Sequence, residues 1–145
     1  MILISHRGNL NGKLPNRENT VEYIKEAIAK GFDVEIDICK WDGENFFLGH
    51  DNPQEAITPD WLKNNPVWCH AKDYKALEQL IKYNIHCFWH QNDKYTITSG
   101  GYIWAYPGQP VGDRTIAVHP HEISEEEVKK CAGVCSDNVE KYKND

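Results

Sequence analysis

The chain has 145 residues, 40% of them hydrophobic and 11% aromatic, enough for one cored domain and short for two. Its net charge of −6 at pH 7 argues against the basic face with which a general nucleic-acid binder releases counterions from phosphate. No apolar run approaches the roughly 20 residues of a membrane span, and the strand-like start already bears chemistry at His6, leaving no room for a signal segment, so a cytoplasmic chain is expected.

Ile2-Leu3-Ile4 predicts a first strand over 1–5. A helix follows over 20–30, with Val21, Ile24, Ala27 and Ile28 on one face and Gly31 at its end. Strands are predicted over 32–38 and 45–49, then a helical turn over 59–64 entered through Thr58-Pro59, then a strand over 66–71. Asp73 caps a second helix, in which Ala76, Leu77, Leu80 and Ile81 repeat at helical spacing. From Ile85 to His119 short strands over 85–90, 95–98, 102–106 and 115–119 succeed one another, punctuated by Asn92-Asp93, Ser99-Gly100-Gly101 and Pro107-Gly108. Ser124 and Glu127 form a capping box for a third helix running to about Cys131, ahead of a last strand over 133–136. Strand-helix-strand alternation in 1–38 and 66–90 indicates parallel pairing with right-handed crossovers, hence the α/β class. No repeat or linker divides residues 1–145, which read as a single domain.

The five cysteines, at 39, 69, 87, 131 and 135, lack the paired short spacings of a zinc site. Cys39, Cys69 and Cys87 fall in strand-like runs and are expected as small, reduced, buried side chains. The Glu125-Glu126-Glu127 run suits a helix N-terminus.

Side chains two apart on a strand share a face, so Glu35 and Asp37 project together while Val34, Ile36 and Ile38 point the other way. Two adjacent carboxylates form either a cation site or the solvated face of an edge strand. His70 and Lys72 share a face in the same manner. Parallel strands in an α/β fold put their C-terminal ends on one rim, where His6, Asp37, His70 and Lys72 can converge. Glu18 either anchors its loop by hydrogen bonds or touches a metal. Trp104 is the best candidate for a wall of a pocket. The roles of His90, His119 and His121 stay open between rim and packing.

The ordered set His6-Arg7-Gly8, Glu18-Asn19-Thr20, Gly31-Phe-Asp33-Val-Glu35-Ile-Asp37, Asp42-Gly43 and His50-Asp51 resembles the glycerophosphodiester phosphodiesterase family, within the phospholipase-C-like TIM barrels. The match covers residues 3–51 and then thins. His70-Ala71-Lys72 is similar to the family's Glu-x-Lys, with histidine in the acidic position, and 133–138 is similar to its closing strand. The resemblance implies that His6 and His50 are the acid/base pair and that Arg7 and Lys72 hold the substrate phosphate. It further implies that Glu35, Asp37 and His70 are the metal ligands, with Glu18 and Trp104 supporting the pocket. The implied cofactor is a divalent ion, Mg or Ca, or Mn or Zn because of His70.

A TIM barrel takes about 250 residues, so the expectation is a compact, pared-down (β/α) barrel with several outer helices missing. A homodimer could cover the strands between about 91 and 118. The expected activity is metal-dependent hydrolysis of a small glycerophosphodiester or related polar phosphodiester, in the sphere of lipid headgroup metabolism. Release of a cyclic phosphate by a lyase or transferase, and a non-catalytic phosphate-binding module, are the alternatives.

Overall fold

Ten strands, most of them short, and four helices organise the molecule, which the computed structural model describes over residues 1–143. In chain order they are β1 (Ile2–His6), α1 (Val21–Ala29), β2 (Asp33–Trp41), β3 (Phe46–Leu48), β4 (Glu55–Ile57), α2 (Pro59–Lys63) and β5 (Val67–Ala71). Then come α3 (Tyr74–Lys82), β6 (Cys87–Phe88), β7 (Tyr95–Ile97), β8 (Ile103–Ala105), β9 (Thr115–Val118), α4 (Glu125–Val128) and β10 (Gly133–Ser136). Two 3-10 turns lie at Pro120–Glu122 and Val139–Tyr142.

The α/β class is as expected. Parallel ladders run β6-β5-β2-β1-β10-β9-β8, so the first strand lies beside the last. The hairpin β3-β4 adds antiparallel to β2, and β7 adds antiparallel to β8. The closed barrel expected from the sequence is not formed: among the described residues no ladder joins β6 to β7 or β8. The predicted strand over 85–90 shrinks to two residues, too short to carry a ladder on both edges. Isolated hydrogen bonds stand in place of a ladder between the two ends of the sheet. Ser99 N donates to Cys87 O at 2.8 Å, Cys87 N to Ser99 Oγ at 2.9 Å, and Thr96 Oγ1 to Trp89 O at 3.1 Å.

The predicted helices form where their caps stand. Thr20 Oγ1 accepts from Tyr23 N, Asp73 from Ala76 N and Ser124 Oγ from Glu127 N. The third helix is shorter than expected, ending at Val128 rather than Cys131. Glu127 pairs with Lys130 instead of reaching back to the cap, and the Cys131 thiol donates to the Val128 carbonyl, closing the turn. No helix forms between β6 and β9, as expected, which leaves Ile97 74% and Tyr95 41% exposed. Among the described residues no helix is long and apolar enough to cross a membrane. The five cysteines are unpaired, all but Cys39 buried.

The two faces of the sheet bury different layers. On one, Val34, Ile36 and Ile38 pack with Val67, Cys69, Ile24, Ala27 and Leu80 beneath α1 and α3. On the other, Ile4, Trp68, Phe88, Trp104, Ile116 and Cys135 form a second cluster, with the Phe88 and Trp104 rings 4.5 Å apart. Burying an aromatic or branched side chain contributes about 1.5–3 kcal/mol, so this inner layer is a firm floor for whatever stands above it.

Candidate active site

Period-two geometry stacks chemistry on that floor. Two residues beyond Ile4, Trp68 and Cys135 stand His6, His70 and Asp137, and Glu35 and Asp37 occupy the same face of β2. Register completes the convergence: His6 lies opposite Glu35 across β1-β2, and Asp37 opposite His70 across β2-β5. Above them opens a cleft of about 290 Å³ lined by His6, Arg7, Glu35, His50, His70, Lys72, Trp89, Trp104, Tyr106 and His119.

Glu35 and Asp37 are 2% and 0% exposed, so the solvated-edge reading of this pair is excluded. Among the described residues Glu35 Oε1 and Asp37 Oδ1 have no hydrogen-bond partner. Burial and the adjacent Glu35 charge push the Asp37 carboxyl above its ordinary range. Burial acts on Glu35 in the same sense, but His70, His6 and Arg7 outweigh it and hold Glu35 ionised.

His70 Nε2 is 2.7 Å from the His90 carbonyl, which only accepts, so Nε2 carries a proton. The other nitrogen, Nδ1, lies 3.5 Å from Glu35 Oε2 and 3.7 Å from Asp37 Oδ1. That approach to two carboxylate oxygens is attractive only with a positive charge between them, a proton on Nδ1 in the metal-free protein or a cation in its place. One ligand atom from each of the three side chains falls within 4.8 Å of the others. Two carboxylates and an oriented imidazole suit a divalent cation, and the orphaned oxygens supply the observation that these residues fit one.

The loop after β1 is built by its own motif. Arg7 and Gly8 both have positive φ, 60° and 98°. A Cβ at Gly8 would meet the Tyr23 ring at 2.5 Å, so only glycine lets the chain turn against α1. Arg7 Nε forms an ion pair with Asp37 Oδ2 at 2.9 Å, and Nη1 donates to Glu18 Oε1 at 3.3 Å. Asn19 grips Asp37 twice, donating to Oδ2 at 2.9 Å and accepting from its amide at 3.0 Å. Glu18 accepts from Asn9 Nδ2 at 2.9 Å, which makes it a loop anchor, outside the Glu35-Asp37-His70 group.

His6 Nδ1 hydrogen-bonds Asp137 Oδ1 at 2.7 Å, and Asn9 Nδ2 donates to the same oxygen at 2.9 Å. Burial lowers the His6 pKa, but the Asp137 bond and the Glu35 charge outweigh it and raise it above the ordinary histidine value. Burial raises Asp137, yet the bond to His6 prevails and brings it to about 2. The result is an oriented His-Asp dyad with Nε2 facing Glu35 Oε1 at 3.8 Å.

Most predicted site residues thus share one cleft. Lys72 lines it and makes no ion pair among the described residues. His50 also lines it but stands at the rim, exposed, with Nδ1 on the exposed Asp51 carboxylate at 2.9 Å. The loop that presents it needs Gly49, where a Cβ would meet Asn52 O at 2.0 Å. Trp104 is 4% exposed and belongs to the floor rather than a free-standing wall. His90 is buried, with Nε2 donating to Asp93 O, and His121 is exposed beside Glu122. The sequence reading missed Asn9 and Asp137 as parts of the site, and left His119 open. Only the place of Asp137 directly after the last strand signalled it. The chain matches no protein-family model, no curated protein and no solved structure.

Proposed function

We propose that the chain is a metal-dependent phosphodiesterase hydrolysing a small polar phosphodiester, a glycerophosphodiester or a relative of one. One observation carries the reading: the buried Glu35-Asp37-His70 group, with two partnerless oxygens and His70 Nδ1 turned inward, lies beside an oriented His-Asp dyad. Those three side chains would hold the cation, which supplies electrostatic stabilisation of the charge gathering on the phosphoryl oxygens. The order of the parallel strands, with β1 beside β10, supports kinship with the pared-down (β/α) barrel expected from the motifs.

The chain's own groups have separate tasks. Lys72 and Arg7 bring positive charge to the cleft, Arg7 being fixed in place by Asp37 and Glu18. Asp137 holds the proton on His6 Nδ1, which leaves Nε2 to exchange a proton with the reacting oxygens. His50 at the rim is the other imidazole that the motifs nominate.

The test is a panel of glycerophosphodiesters and p-nitrophenyl phosphodiesters incubated with Mg, Ca, Mn or Zn and followed by phosphorus NMR. Cleavage to a phosphomonoester, reduced at least about 100-fold in His6→Ala, is the expected result. A cyclic phosphate as final product would make the enzyme a lyase or transferase. Binding without cleavage under every metal would refute catalysis and leave a phosphate-binding module.

A further inference from the structure

The motifs pair His6 with His50, but the structure sets a different imidazole against His6. The rings of His119 and His6 stand edge to face, 5.2 Å between centroids and 85° between planes. His119 lines the same cleft as Glu35 and Lys72, half-buried, whereas His50 is more exposed and turned to Asp51.

The backbone of His119 is unusual. It has φ 49° and ψ 65°, the left-handed region that favours glycine. Its amide extends the β9-β10 pairing by donating to Cys135 O at 2.9 Å, and the buried Pro120 follows at once. A proline disfavours the right-handed helical region for the residue before it. The ring has no hydrogen bond to any described residue. A turn of this shape is met by glycine or asparagine with less strain. A histidine held there, both ring nitrogens free and one neighbour a dyad histidine, is strain kept at a cleft for chemistry.

We propose that His119 is a catalytic residue, the general base that works opposite His6; this rests on the phosphodiesterase reading. The attacking hydroxyl, from the substrate or from water, gives its proton to a His119 ring nitrogen as its lone pair forms the new P–O bond. The bond from phosphorus to the leaving oxygen breaks, and that oxygen takes the proton from His6 Nε2. Burial, with the neighbouring His6, holds the His119 imidazole below the ordinary histidine range, in the neutral form that a base requires. The assignment also explains the separation of the two rings' surroundings: Asp137 is bonded to His6, and no carboxylate is bonded to His119.

His119→Gly and His119→Asn test it, since both residues accept the left-handed backbone. Each is compared with His50→Ala and wild type on two metal-loaded phosphodiester substrates, one with an alkyl and one with a p-nitrophenyl leaving group. We expect His119→Gly to keep or raise the melting temperature, to lose about 100-fold or more in kcat with little change in KM, and to lose it equally on both substrates. Added imidazole should restore part of the rate in His119→Gly. His6→Ala should instead show a smaller deficit with p-nitrophenolate, which leaves without a proton. Turnover within about threefold of wild type in both His119 variants overturns the proposal, as does a loss tracking a fall in melting temperature without imidazole rescue. In either case wild-type cleavage leaves the phosphodiesterase reading standing. Absence of any wild-type cleavage removes that reading and this proposal together.

Discussion

Replacing Asp37 by Asn should stabilise the metal-free protein while abolishing its response to metal. Asp37 is fully buried, one oxygen is partnerless, and a second carboxylate stands two residues away on the same face. Asn at this position keeps an acceptor for Asn19 Nδ2 and the Arg7 side, and puts an uncharged amide group in place of the partnerless oxygen 3.7 Å from His70 Nδ1. A buried unsatisfied polar group costs about 1–3 kcal/mol. Removing it while losing part of the Arg7 ion pair leaves a net gain of about 1 kcal/mol, or roughly 3–5 °C in Tm for a chain of this size.

The pH dependence has a definite sign. The folded-state pKa of Asp37 is raised, so wild-type stability from this group is complete below its unfolded pKa and is lost as pH rises through the folded value. The advantage of Asp37→Asn should therefore vanish in acid and open toward neutrality. In wild type, a divalent ion at 100 times its Kd should add about 2.7 kcal/mol; in the variant it should add much less. Thermal and urea unfolding with chelator, Mg, Ca, Mn or Zn measure both quantities. A metal-free variant weaker than wild type by more than about 1 kcal/mol, or one that metal stabilises as strongly as wild type, would refute the reasoning.

Asp137→Asn should lower the His6 pKa seen by NMR in the metal-free protein, because the carboxylate bonded to Nδ1 is what raises it; an unmoved titration would show the dyad to be unimportant. His70→Glu should move metal preference, read by calorimetry, from Mn or Zn toward Mg or Ca as an imidazole gives way to an oxygen donor; an unchanged order of affinities would place His70 outside the coordination sphere. Light scattering should report a dimer of about twice 16.7 kDa, disrupted by Ile97→Lys on the exposed face of β7; a monomer at micromolar concentration would show that this face is simply solvated.

What was legible in the sequence was local. Apolar periodicity over 20–30 and caps at Asp73 and Ser124 located three helices, and alternation on β2 separated Glu35 and Asp37 from Val34, Ile36 and Ile38. Glu55-Ala56-Ile57 went unread because its alternation is too short to register, and it is a strand only by pairing with Phe46–Leu48. The open sheet was also unreadable, since the apolar run from Ile85 looks like a full strand, whereas Trp89 and His90 leave the ladder. Within the site, Asp137 and Asn9 were hidden by distance along the chain: their bond joins residues 128 apart. His119 was ambiguous because a histidine at a strand end reads as packing until its backbone angles and its neighbour are known.

The pairing of the first strand with the last reaches beyond architecture. His6 and Asp137 are separated by 131 positions, so the dyad cannot exist until β10 has docked along β1. Until then the edge of β1 that β10 covers, at Ile2, Leu3 and Ile4, is unpaired, a surface open to wrong partners. Contacts this distant in sequence are slow to form, because the chain loses its loop entropy before the contact rewards it. Helix formation and function should consequently separate in time during refolding, with circular dichroism recovering first and the His6 environment last.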